Sequence, residues 1–225
     1  VCQDGRVTLW LPCGYRAETE LEVKRSRFLT TLARVDSEDA ARAVVAEVRR
    51  AHSGARHHCS AFIVGVPDAL PIERSSDDGE PAGTAGMPML DVLRSADVGQ
   101  AVAVVARYFG GVLLGTGGLV RAYSDSVSQA LAAAPRVRPV VRPLYSLTVA
   151  HADFGRVQAE LLAAGVEIVD AAFGAEVRLS AAPPTDAAAS ELFARITRGE
   201  GLPQPVGQRL TEEPVVPAPP GGRHP

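Results

Sequence analysis

Strict alternation opens at Thr19-Glu-Leu-Glu-Val23, where Leu21 and Val23 share one face and Glu20 and Glu22 the other. That two-residue period is the signature of a half-buried strand. A second strand is predicted over Phe28-Leu-Thr-Thr-Leu-Ala-Arg-Val35. Asp36 or Ser37 can then cap a helix whose apolar stripe is Ala41, Val44, Val45 and Val48, with Arg42, Arg49 and Arg50 mostly off the stripe. Cys59-Ser-Ala-Phe-Ile-Val-Gly-Val66 and Ala101-Val-Ala-Val-Val-Ala106 read as buried strands, being continuously apolar and of strand length. Between them, from Pro67 to Gly86, the pattern stops. This predicts a loop of about twenty residues without secondary structure of its own, a length that in a compact domain marks function or disorder. Pro88 suits the first turn of a short helix over Met87–Ser95 with Leu90 and Leu93 inward. A long helix is predicted from Leu119 to Ala134, ended by Pro135.

Between Pro135 and Pro143 the composition shifts to Pro, Arg and Val, which reads as a domain boundary. Beyond it come a strand over Leu144–Ala150, a helix over Phe154–Ala164 closed by Gly165, and a strand over Val166–Phe173. A hairpin partner over Ala175–Leu179, a helix over Thr185–Thr197 and a last strand over Val206–Leu210 complete the order. The order βαββαβ predicts a ferredoxin-like domain. Two domains are therefore expected, over residues 16–135 and 140–212. The Pro- and Gly-rich residues 213–225 are expected to form a disordered tail.

With 225 residues, 46% hydrophobic and 22% charged, the chain has globular composition, which excludes a mostly disordered protein. Only 5% is aromatic, so the core must be built from Val, Leu and Ala. A net charge of −3 argues against a surface that is basic throughout, though not against a local basic patch. Lys24 is the only lysine beside many arginines, a bias that a GC-rich genome produces without functional cause. Cys2, Cys13 and Cys59 are an odd set with no C-x-x-C, which suits a reducing compartment. With no signal-like start and no long apolar run, a cytoplasmic protein without membrane contact is expected.

Three segments could carry chemistry. Ser75-Ser-Asp-Asp-Gly-Glu-Pro-Ala-Gly-Thr-Ala-Gly86 gathers Asp77, Asp78, Gly79 and Glu80 into an acidic loop. Its carboxylates could bind a cation, do acid–base work, or cap their own backbone; no calcium-loop ladder accompanies them, and no metal is expected. Arg107-Tyr-Phe-Gly-Gly-Val-Leu-Leu-Gly-Thr-Gly-Gly-Leu119 runs from a strand through glycines into a helix, the geometry that offers backbone N–H groups to an anion. It is neither G-x-G-x-x-G nor a Walker A loop, so no nucleotide cofactor is expected. There Arg107 is the candidate anion contact, and Gly110, Gly111, Gly117 and Gly118 shape the turn. The third segment, Arg49 to Cys59, lies in a stretch without acid between Glu47 and Asp68, making Arg56 and His57 a candidate basic edge. Adjacent His57, His58 and Cys59 would point to alternate faces of a strand, which disfavours a metal site. No nucleophile with an accompanying base is identifiable, so no catalytic residue is assigned.

Taken together, Ser26-Arg-Phe28, Ala55-Arg-His-His-Cys59, Ser76–Gly86 and the Arg107–Leu119 glycine segment resemble the Impact/YigZ family over residues 15 to 210, most closely its bacterial two-domain branch. The resemblance implies an α+β protein. Its N-terminal domain would be an α/β sandwich like a ribosomal-protein domain and domain IV of elongation factor G. Its C-terminal ferredoxin-like domain would resemble domain V of that factor. It further implies no established catalysis: eukaryotic members regulate translation through a protein partner, and bacterial ones are suspected of binding RNA or the ribosome. Three functions are therefore carried forward: an RNA- or ribosome-associated factor in translation, a regulatory protein-interaction module, and an enzyme acting on a phosphorylated small molecule. Phe109 departs from the family pattern, where many relatives have tyrosine.

Overall fold

The computed structural model describes residues 9–65, 69–197 and 203–215. These fall into two compact units: one holds the described residues up to Arg138 together with those from Glu213, the other runs Pro139–Glu212.

The first unit is built on β2 (Arg16–Val23), β3 (Ser26–Arg34), β4 (His57–Val64), β5 (Ile72–Ser76) and β7 (Ala101–Tyr108). They form one antiparallel sheet in the order β2-β3-β7-β4-β5. The central strand β7 is apolar on both faces because both faces are covered. Ala101, Ala103 and Val105 face a cluster that includes α2 (Gly86–Ser95) and α3 (Thr116–Ala133). Val102, Val104 and Ala106 face α1 (Glu38–Ala51) through Ala41 and Val48. Phe28 is fully buried and meets the Tyr123 ring edge-on at 5.1 Å, an arrangement worth roughly 0.5–1.5 kcal/mol beyond the area it buries. Ser37 caps α1 by accepting from the Ala40 amide at 3.1 Å. Glu38 and Asp39 in its first turn and Arg49 and Arg50 in its last suit the helix dipole.

Two strands lie outside the alternation pattern. The short β1 (Leu9–Trp10) pairs in parallel with β6 (Val98–Gly99) and meets Val137 from Trp10. A strand of two residues carries no period. More consequential is β5, because residues 67–86 are not one structureless loop. Ile72–Ser76 extends the sheet as an edge strand on β4, and its side chains are half-buried to exposed, so hydrophobicity does not announce it.

In the second unit, β8 (Val137–Val149) contributes from Pro139 onward. It is followed by α4 (Phe154–Ala163), β9 (Glu167–Phe173), β10 (Val177–Ala182), α5 (Asp186–Ile196) and β11 (Gln204–Pro214). The sheet order β11-β8-β10-β9, with β10 antiparallel to both its neighbours, is the ferredoxin-like arrangement. Its core gathers Leu147, Val157, Leu161, Leu179, Phe193 and Ile196. The division between the units, at Arg138 and Pro139, falls within the expected boundary over 135–143, which is largely strand. Pro139 and Pro143 lie outside the β8–β10 register, which spans Tyr145 to Val149, so that ladder loses no N–H donor to them. The first residues of the expected tail are ordered: Glu213 and Pro214 close β11, and the Val215 amide donates to the Arg136 carbonyl. Residues 216–225 and the predicted strand end at Val66 lie outside the described residues.

Candidate functional site

β4 and β7 run side by side with His57 opposite Arg107, so the basic edge and the start of the glycine segment share one end of the sheet. Arg56, His57, Arg107, Phe109 and Leu113 line a pocket of about 210 Å³ there. Arg56 is exposed and makes no hydrogen bond or ion pair with another described residue. The His57 Nδ1–H donates to the Asp78 carbonyl at 2.9 Å, which fixes the tautomer and leaves Nε2 without a partner among the described residues.

Arg107 forms the pocket's inner wall and is 94% buried, its residue exposure being 6%. One terminal nitrogen donates to Glu80 Oε1 at 2.7 Å, while Nε is buried without a hydrogen-bond partner. The guanidinium lies 5.6 Å from the Phe28 ring centre and 5.8 Å from that of Phe109. Glu80 Oε1 also accepts from the Tyr123 hydroxyl at 2.8 Å. Behind it, Cys59 Sγ lies 3.3 Å from the Tyr123 oxygen and 3.0 Å from the Asp77 carbonyl. Burial pushes the Cys59 thiol up to about 12, so it is protonated at neutral pH and is no nucleophile there. Burial, reinforced by the neighbouring Cys59 and Glu80, likewise raises Tyr123.

The acidic loop is turned inward. Asp77 accepts from the amides of Gly83, Ala85 and Gly86 at 2.8–3.0 Å and so caps the approach to α2, which lacks a cap from its own N-cap residue, Ala85. Burial alone would raise its carboxyl, but the three amide donors outweigh this and hold it below the usual range. Asp78 accepts from Arg49 at 2.7 Å and from the His58 amide at 2.6 Å. There too the donors, with the Arg49 charge, overcome burial and lower the carboxyl. Asp78 and Gly79 both take positive φ, 44° and 85°, and Gly79 packs under the His57 ring. Among the described residues, no group of three His, Cys, Asp or Glu is placed to hold a metal ion.

The glycines divide. A Cβ on Gly110 would overlap the Arg25 carbonyl and the Ser26 nitrogen of the β2–β3 turn, and its amide donates to Ser26 Oγ at 3.1 Å. Gly111 takes φ 83°. Gly117 and Gly118 belong to the first turn of α3: Gly117 has open space where a Cβ would sit, and Gly118 faces only the Leu114 side chain. So His57, Arg107, Asp77, Asp78, Gly79 and Glu80 form one connected network, and Arg56 joins it only as a wall of the same pocket; no contact of Gly117 or Gly118 ties them to it. Tyr123, Phe109, Leu113 and Arg49 complete the arrangement. Tyr123 had a signal in the sequence, a hydroxyl on the buried face of a helix otherwise lined by Leu119, Ala122, Val127 and Ala130.

A family model, the Impact N-terminal domain, matches residues 24–131, which include every residue of this site, and a domain of unknown function, DUF1949, matches 147–200. The IMPACT family member YigZ of Escherichia coli (strain K12) is 45% identical over 163 residues, covering 72% of this chain and 80% of that protein. The chain belongs to the IMPACT family. Another member, YvyE of Bacillus subtilis (strain 168), is 42% identical over 147 residues, covering 64% of this chain and 65% of YvyE. A crystal structure described as that of a hypothetical protein shares the fold with a TM-score of 0.57 at 40% identity, covering 88% of this chain and 96% of its own. Among the described residues, no helix of this family member is long and apolar enough to cross a membrane.

Proposed function

We propose that this protein is an RNA- or ribosome-associated factor acting in translation or its regulation. The observation that supports the reading is the pocket at the end of β4 and β7. It sets the unpaired Arg56 and the free Nε2 edge of His57 beside an exposed aromatic ring, while the nearby carboxylates of Asp77, Asp78 and Glu80 are spent on internal partners. A cation beside an open π-face is what single-stranded nucleic acid binds, and the acids, bonded to internal partners, leave Arg56 unclaimed. The translational setting rests on what the family resemblance implies.

The test is to recover the tagged protein from cells and analyse the RNA and protein it retains at low and raised salt. Retained ribosomal particles or RNA that are lost with salt support the reading, because each neutralised phosphate releases counterions. A discrete protein partner that survives salt would favour a regulatory interaction module instead. One feature favours that second reading, a groove of about 520 Å³ on the first unit lined by Pro88 and Val92 of α2 and Val120 and Leu131 of α3.

A further inference from the structure

We infer that the pocket formed by Arg56, His57, Arg107, Phe109 and Leu113 holds a single unpaired nucleotide of RNA, the base against Phe109, the phosphate on Arg56, and His57 Nε2 accepting from a ribose hydroxyl or a base N–H. The inference rests on the RNA reading above and specifies its site.

Size sets the first limit. At about 210 Å³ the pocket is smaller than the roughly 300–1,000 Å³ that drug-sized ligands and cofactors occupy. It suits one base with its phosphate at the mouth, and it excludes a dinucleotide. The chemistry of the walls sets the second. Phe109 and Leu113 are large apolar residues left 43% and 83% exposed at a single mouth. Arg107 already lies 5.8 Å from the centre of the Phe109 ring, so a base on the exposed side would extend a guanidinium–phenyl stack outward. Arg107 itself is held in place by Glu80, and its charge is largely answered by that carboxylate. It serves as a rigid floor, with its unpartnered Nε the one buried donor that the protein leaves unsatisfied at this wall.

The polar contacts fall to the other side. Arg56 is free, and His57 is oriented by the Asp78 carbonyl so that Nε2 is its available nitrogen. With Nδ1–H donating to the Asp78 carbonyl, Nε2 carries the lone pair and accepts from a ribose hydroxyl or a base N–H, while Arg56 takes the phosphate. Beyond the pocket, Gly110 packs on the backbone of Arg25, so the exposed tip of the β2–β3 hairpin, with Lys24 and Arg25, lies next along the surface. A neighbouring phosphate on the strand would meet those cations. A duplex could not enter, because its bases are already stacked and their faces are closed.

The experiment uses the full chain and a fluorescently labelled oligouridylate, read by anisotropy across a salt series, with a blunt RNA duplex of equal length alongside. The single strand should bind more tightly than the duplex. Phe109→Ala should weaken single-strand binding by on the order of ten- to a hundredfold with the salt slope unchanged. Arg56→Ala should weaken it and reduce the slope by about one. Both side chains are exposed, so the variants should keep the parent's melting temperature. If Arg56→Ala acts but Phe109→Ala does not, or the duplex binds equally well, the nucleotide pocket is overturned while RNA binding stands. If the parent protein binds no single strand even at low salt, both fall.

Discussion

Glu80 and Arg107 carry the largest single-residue consequence. The pair is buried, with side-chain exposures of 3% and 8% at 2.7 Å, and Tyr123 donates to the same oxygen. Removing one partner strands the other charge in an apolar setting, which costs about 3–5 kcal/mol in buried pairs. Glu80→Ala should therefore lower the urea midpoint of the first unit sharply. Arg56→Ala, at the exposed rim of the same pocket, should leave that midpoint within the small range of surface substitutions. Asp77 and Asp78 predict a different behaviour. Their carboxyls titrate below the usual value of 3.8 when folded. The unfolded chain thus takes up protons first as pH falls, and stability present above that value is lost as pH drops through the folded carboxyl values. Asp77→Asn should flatten the acid limb of a stability–pH curve measured by urea unfolding; an unchanged limb would mean that Asp77 contributes nothing to acid sensitivity. At this scale the sequence announced the residues but not their direction. Asp77, Asp78 and Glu80 were visible as a cluster, and an inward-facing acidic loop and a solvent-facing one have the same spelling. Only the amides of Gly83 to Gly86, Arg49 and Arg107, brought in by the fold, decide between them.

Elements were legible where one periodic face packs against a core, as in β2, β3, α1, α3 and α4. Their errors came where another force shapes the chain. β5 has no buried face to announce it, and β8 continues past two prolines that fall outside its register with β10. The glycine segment between β7 and α3 shows the same limit, since its glycines look alike in sequence and serve different ends. Gly110 is excluded from carrying a side chain by the β2–β3 turn, and Gly111 by its φ of 83°. Gly117 sits in the first turn of α3 with open space around it and ordinary backbone angles. Gly117→Ala should accordingly stabilise the protein by about 0.4–1 kcal/mol, chiefly by restricting the unfolded chain. Gly110→Ala should destabilise it, because backbone atoms rather than a flexible side chain stand in the way. Thermal melts of the two variants should move in opposite directions. If Gly117→Ala lowers the melting temperature or abolishes RNA retention, the α3 N-terminus has a role that packing does not reveal.

The two units do not share a hydrophobic cluster: the first has one on each face of its sheet and the second has its own. Among the described residues, the clusters around the five-stranded sheet draw none beyond Ala134, and the cluster of the ferredoxin-like unit draws none before Tyr145. Units with separate cores are expected to open separately. The division falls inside β8, a continuous strand, so connectivity alone does not say whether the two unfold together. Phe193 tests this, being fully buried in the second unit's cluster with Leu147, Leu161 and Ile196. Phe193→Ala should cost about 3–5 kcal/mol within that unit through lost contacts and the cavity left behind. Amide exchange should then accelerate across β9, β10 and α4 while β3, β4 and β7 keep the parent's protection. Every residue of the pocket belongs to the protected unit, so the variant should also retain the parent's affinity for single-stranded RNA. Acceleration of β7 to the same degree would instead mean one cooperative molecule, in which the state of the second unit sets how firmly Arg107 and Phe109 are held.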